Sequence, residues 1–176
     1  PTPAVSSAAS DVYKRQVYNN TLIPTIFKSL KSDYLHLIKH VQLWDVCAQK
    51  VIEVKGNKAL GIIKYLFCRD FTKVTPGRAY YAPIVNFEGG LLNDPVVFCI
   101  NEEHFLISLS DSDLFNWASA INHTKEFFVE VNETDIITMA IQGPKSEQTM
   151  LKTFGEEIKS LKSFNFKNFV FNNENI

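Results

Sequence analysis

The chain has 176 residues, 45% of them hydrophobic and 21% charged, enough for one domain with its own core. Eighteen Lys and Arg face nineteen Asp and Glu, so the basic surplus that binds nucleic acid is missing. Mean hydropathy is -0.06, and the longest apolar runs, residues 60–68 and 95–100, are too short to span a bilayer.

Residues 1–16, PTPAVSSAASDVYKRQ, are small and polar, then briefly basic, and read as a disordered tail. From Ser6 to Gln16 the segment resembles the translation of a common transposase sequencing adaptor. It is therefore set aside as non-native, and the domain is taken as residues 17–176. Residues 19–30 form an irregular lead-in. Ser32 is placed to cap a helix through His40, with Tyr34, Leu37, Ile38 and Val41 on one face. Residues 42–55 read as two short strands or one bent one. A second helix spans 57–68, with Ala59, Ile62, Ile63, Leu66 and Phe67 on its apolar side.

Strands follow at 78–86, 95–100 and 104–110, separated by turns at 87–90 and 101–103. Pro83 cannot donate to a ladder, so its strand is an edge or is bulged. Asp111 is expected to cap a third helix over 112–122, with Leu114, Trp117, Ala118 and Ile121 inward. Residues 127–131 and 136–141 read as strands, and Gly143-Pro144 opens a fourth helix. Residues 164–171 read as a last strand, followed by a hairpin turn whose partner strand is missing. Short links between successive strands make neighbours antiparallel, so the class is α+β: an antiparallel sheet with helices, truncated at its C-terminal end.

Cys47, Cys68 and Cys99 are odd in number and carry no C-x-x-C, which points to buried free thiols in a reducing, cytoplasmic setting. His36 and His40 are four apart on a helix. No H-E-x-x-H pattern or third ligand accompanies them, so a solvated face is expected and no metal site. Ser108, Ser110 and Ser112 have no nearby histidine to activate them.

The informative cluster lies around the glycine turn. Tyr81, Asn93 and Asp94 flank it, and Ser110, Asp111 and Asp113 end the next strand. Paired strands would bring these groups to one rim of the sheet as a pocket for a polar heterocycle. The plainer account is turn chemistry at Asn93-Asp94-Pro95 and a helix cap at Asp111.

The segments VYNNTLIP (17–24), HVQLWDV (40–46), CRDFTKVTPGRAYYAPIVNFEGGLLNDPV (68–96), SLSDSD (108–113) and AIQGPKSEQTM (140–150) carry a resemblance. In this order and spacing the chain resembles the folate-dependent aminomethyltransferase superfamily, and within it the branch that demethylates dimethylsulfoniopropionate. The resemblance implies a three-domain cloverleaf around tetrahydrofolate, of which this chain is about the N-terminal half. It implies tetrahydrofolate as cofactor, bound by Tyr81, Asn93, Ser110 and Asp111, with Asn93 and Asp94 catalytic. Tyr18 and Tyr81 match positions near the site, where either could offer a π face to a sulfonium substrate. Arg69 and Arg78 are the arginines left to meet a glutamate tail. A homodimer stays open for the full-length parent, whereas this piece alone is expected to be inactive.

One departure is informative. The family's usual Asp-Asp after the glycine hairpin is Asn93-Asp94 here. An amide cannot take up a proton as a carboxylate can. That fits direct transfer of an already activated sulfonium methyl to tetrahydrofolate better than glycine-cleavage chemistry. The alternatives are an aminomethyltransferase of glycine cleavage, another folate-dependent demethylase or, from another class, a non-catalytic folate-binding protein of iron–sulfur maintenance.

Overall fold

The computed structural model describes residues 15–171 together with Glu174 and Asn175. In chain order, β1 (Arg15–Tyr18) and β2 (Thr21–Pro24) form a hairpin. Then come α1 (Leu30–Lys39), β3 (Gln42–Asp45), β4 (Val51–Lys55), α2 (Ala59–Leu66) and β5 (Arg78–Tyr81). Next are β6 (Ile84–Val85), β7 (Leu91–Asn93), β8 (Val96–Asn101), β9 (His104–Ser108), α3 (Leu114–Thr124) and β10 (Glu130–Glu133). The last elements are β11 (Met139–Gln142), α4 (Ser146–Phe154), a 3-10 turn, β12 (Val170–Phe171) and β13 (Glu174–Asn175).

The core is one five-stranded antiparallel sheet in the order β10-β4-β9-β8-β5. Alternation along its strands buries Ile52 and Val54, Val97 and Cys99, and Phe105 and Ile107. Against this face α2 packs Ala59, Ile62, Ile63 and Leu66, and α3 packs Leu114, Ala118 and Ile121. Removing a side chain such as Ile62 or Phe105 from this cluster would cost about 2–5 kcal/mol. The α+β class is as expected, and both helical stripes fall where their periodicity puts them. Trp117 is only half-buried; its ring lies tilted against that of Phe87, 5.2 Å between centres.

Several boundaries differ from expectation. β1 begins at Arg15, so the last two residues of the segment set aside as a disordered tail are paired, Arg15 with Pro24 and Gln16 with Ile23. The remainder of that segment, residues 1–14, lies outside the described residues. Ser29, not Ser32, caps α1: its Oγ accepts from the Ser32 N–H at 3.1 Å. The Asp33 carboxylate reaches back to the Phe27 N–H at 2.9 Å, which fixes that choice. The face of α1 is uncovered, with Tyr34 and Ile38 exposed.

The expected strand 78–86 is broken at Ala82-Pro83 into β5 and β6. Pro83 thus follows the sheet's edge strand, and β6 turns away to pair with β7. Residues 164–171 are not one strand. Phe164 has a left-handed φ of 57°, and its carbonyl accepts from the Ala79 N–H. Phe166 sets its ring edge-on to Phe98 at 5.4 Å. These aromatics cover the edge and back of the sheet. Within this segment only Val170 and Phe171 form a strand, and they pair with Asn175 and Glu174, so a partner is present in the chain.

Candidate functional site

Register builds the site. Val96 pairs with both Ser108 and Tyr81. Antiparallel neighbours keep running side by side beyond such a pair. The residues before Val96 therefore lie against those after Ser108, with the end of β5 alongside. This end of the sheet gathers Tyr81, Asn93, Asp94, Ser110 and Asp111, the residues singled out from the sequence. The β1–β2 hairpin reaches the same place. Its turn uses two left-handed asparagines, Asn19 and Asn20, and Asn19 Nδ2 donates to the Ala48 carbonyl at 2.7 Å. That anchor lets the Tyr18 hydroxyl donate to the Ser110 carbonyl at 3.3 Å.

Asn93 is 2% exposed. Its Nδ2 donates to the Asp111 carbonyl and, at 2.8 Å, to Ser112 Oγ. Its Oδ1 accepts from the Ser110 N–H at 3.2 Å and the Ser110 hydroxyl at 3.3 Å. Asp94 is half-buried, and the Tyr81 hydroxyl donates to its Oδ2 at 3.1 Å. The Ser110 hydroxyl, whose single proton is shared between Asn93 Oδ1 and this carboxylate, and after it that of Tyr81, holds the Asp94 carboxyl below the usual range. In return, the bond to Asp94 pushes the Tyr81 phenol up. Tyr18 and Tyr81 are 38% and 44% exposed, with the first hydroxyl on the Ser110 carbonyl and the second on this carboxylate.

One expectation is corrected here. Asp111 does not cap α3; Asp113 does, accepting from the Asn116 N–H at 3.2 Å. Asp111 joins the cluster through its backbone carbonyl instead. The cause is Ser112, whose left-handed φ of 58° kinks the loop and moves the helix start on by two residues. Ser112 is the member with no signal of its own in the sequence, one of three serines without a histidine, yet its hydroxyl bridges Asn93 to the Leu92 carbonyl at 3.0 Å.

The arginines are already engaged. Arg69 and Arg78 lie 5.3 and 5.9 Å from the Tyr80 ring centre, and Arg69 also donates to the Tyr81 carbonyl at 2.9 Å. His36 and His40 stack at 5.0 Å on α1, and Lys145 approaches His40 Nδ1 at 3.0 Å. The cysteines are free but not uniformly buried: Cys99 is buried, Cys47 half-buried and Cys68 exposed. Burial, and then its contact with Asp45, pushes the Cys47 thiol up to about 11.

Beside Ser112 lies a polar recess of about 70 Å³ lined by Asn19, Asn20, Lys50, Leu109, Asp113 and Glu133. A larger apolar hollow of about 220 Å³, between α2, α3 and the β6–β7 hairpin, is lined by Tyr65, Cys68, Phe87 and Trp117 and is a separate feature. Among the described residues no helix is long and apolar enough to cross a membrane.

Residues 5–173 match the family model described as the GCVT N-terminal domain, and the chain belongs to that family. It is 37% identical over 163 residues to a protein of Ruegeria pomeroyi named dimethylsulfoniopropionate demethylase DmdA, covering 93% of this chain and 45% of that relative. It is 28% identical over 174 residues to an aminomethyltransferase of Oceanobacillus iheyensis, covering 96% and 47%. The fold matches the crystal structure of glycine cleavage system aminomethyltransferase T from Bartonella henselae with a TM-score of 0.67. That match has 21% identity and covers 80% of this chain and 39% of that one. The chain thus spans a little under half the length of these curated relatives.

Proposed function

We propose that the whole protein moves a methyl group from a sulfonium donor, dimethylsulfoniopropionate, to tetrahydrofolate. The observation that carries this reading is the pair Asn93-Asp94: position 93 holds a buried amide, so the rim has one carboxylate there instead of two. The 37% identity to a demethylase supports it.

The rim suits a reduced pterin in its chemistry. Asp94 can accept from ring N–H donors, and the faces of Tyr18 and Tyr81 can stack on a planar ring or attract a cation, worth about 0.5–2 kcal/mol. Tetrahydrofolate, when bound, supplies a nucleophilic nitrogen. A sulfonium methyl is already activated by the positive sulfur and leaves behind a neutral thioether that needs no proton from the protein, while the proton of the methylated nitrogen would be released to solvent. The work left to Asp94, Tyr81 and Tyr18 is to hold the partners in line and keep water out. The reading includes a cytoplasmic enzyme acting on a small sulfonium molecule, with no nucleic acid or membrane partner.

The test is to supply the whole protein with dimethylsulfoniopropionate and tetrahydrofolate. Methylthiopropionate and 5-methyltetrahydrofolate are the expected products. If neither forms but ammonia is released from an aminomethylated carrier protein, the aminomethyltransferase reading, favoured by the 28% identical relative, replaces this one.

A further inference from the structure

We propose that Asn93 is a positioning residue: its amide locks the β9–α3 loop onto β7 and so holds Ser110 against Asp94, the group left to face substrate. For its catalytic consequence this rests on the folate-dependent reading above; the geometry stands apart from it.

A primary amide has two N–H donors and a carbonyl oxygen with room for two acceptances. In Asn93 all four are taken, and every partner lies in the loop from Ser110 to Ser112. The amide's orientation is set by chemistry. The Asp111 carbonyl can only accept and the Ser110 N–H can only donate, so Nδ2 and Oδ1 cannot exchange places. With the side chain buried as well, no donor or acceptor is left for a ligand.

The lock closes on itself. Ser112 Oγ accepts from Asn93 and passes its own proton to the carbonyl of Leu92, the residue before Asn93. Ser112 holds a left-handed backbone, which a non-glycine residue keeps only where its surroundings enforce it. The effect reaches Asp94 through Ser110. Continuing the Val96–Ser108 register sets Asp94 opposite Ser110, and Asn93 Oδ1 fixes the Ser110 backbone there through its N–H.

The lock requires an amide. A carboxylate at position 93 would set one oxygen against the Asp111 carbonyl, remove the donor to Ser112 and add a buried charge next to Asp94. A protonated carboxyl restores one donor. The Asn93→Asp chain should therefore have a carboxyl whose folded pKa is raised. The matching stability is present at low pH and lost as pH rises through that pKa.

The experiment uses this chain and three variants. The melting temperature of Asn93→Asp, relative to wild type, should lie several degrees lower at about pH 8 and recover at least half of that gap at about pH 5. Asn93→Leu should show the same deficit at both. Ser112→Ala, the milder change, should keep the fold and raise the Asp94 pKa followed by carbon-13 NMR. A pH-independent gap for Asn93→Asp, or an Asp94 titration unmoved by Ser112→Ala, overturns the proposal. In the whole protein Ser112→Ala should lower kcat and shift the acid limb of the rate profile upward. If the stability and titration results hold while the parent transfers no methyl group, the functional reading alone fails. If transfer occurs and those results fail, the positioning role alone fails.

Discussion

The Tyr81 hydroxyl and the Asp94 carboxylate meet at 3.1 Å where β5 ends beside the start of β8, so a phenol at the end of β5 and an acid in the β7–β8 link share one proton-bearing contact. The Ser110 hydroxyl first, and that of Tyr81 after it, holds the Asp94 carboxyl below the usual range. Ser110→Ala should thus raise the Asp94 pKa more than Tyr81→Phe does, read by carbon-13 titration of the carboxyl. The reverse order would show that the phenol dominates. Because the folded pKa is depressed, the stability this carboxylate contributes is present above its unfolded value and lost as pH falls through the folded one.

Glu53 gives a second pH effect, on the open face of the sheet. Its Oε1 lies 2.7 Å from Lys55 Nζ and 2.9 Å from His104 Nε2. Lys55 first, and His104 after it, holds the carboxyl below the usual range. The pair with Lys55 is part-exposed, so it is worth under about 1 kcal/mol after solvent screening. Glu53→Gln should lower the melting temperature slightly at neutral pH, and the difference should fade as pH falls through the folded pKa. A gap that persists in acid would point to packing instead of charge.

Gly143 joins β11 to α4 at φ 126°, and a β-carbon there would strike the His40 carbonyl oxygen and stand 3.0 Å from that of Leu37. Backbone strain and steric overlap act together, so Gly143→Ala should cost about 2–4 kcal/mol in chemical denaturation. Gly89, with open space around it, should lose far less on the same change even though its φ is 84°. Equal losses at the two sites would mean that strain alone sets the cost.

Tetrahydrofolate should bind this chain weakly. The recess beside Ser112 is about 70 Å³, and the rim tyrosines are open, whereas an enclosing small-molecule site holds about 300–1,000 Å³. Calorimetry should give a Kd weaker than about 100 μM, less than about 5.5 kcal/mol of binding. Low-micromolar binding would show the rim to be sufficient by itself.

The elements legible in the sequence are those whose burial is periodic. Ile62, Ile63 and Leu66 in α2, and Phe105 and Ile107 in β9, repeat with the spacing of the face they bury. The site was legible for a related reason. A glycine hairpin and a tight turn leave one sensible pairing, and that pairing sets Asn93-Asp94 against Ser110. What escaped notice depends on contacts distant in sequence. Ser29 and Ser32 both look like caps, and Asp33 folding back on Phe27 decides between them. Asp111 and Asp113 are likewise equivalent caps until Ser112 takes its left-handed turn. Phe164 and Phe166 resemble strand residues by type, yet they sit beside β5 and Phe98 as irregular cover.

The strand order also sets a timetable for assembly. β8 and β9 are joined by a tight turn, whereas β4 must close a long loop before Ile52 can meet Ile107. Loop closure is an entropic cost that has to be met before such a distant pairing gives anything back. The β8–β9 hairpin should therefore form before β4, synthesised well ahead of its partner, can pair with it. Asn93 and Ser110 lie at the open end of that same hairpin, so the rim is laid down with the folding nucleus. Mutations there should slow folding more than they speed unfolding.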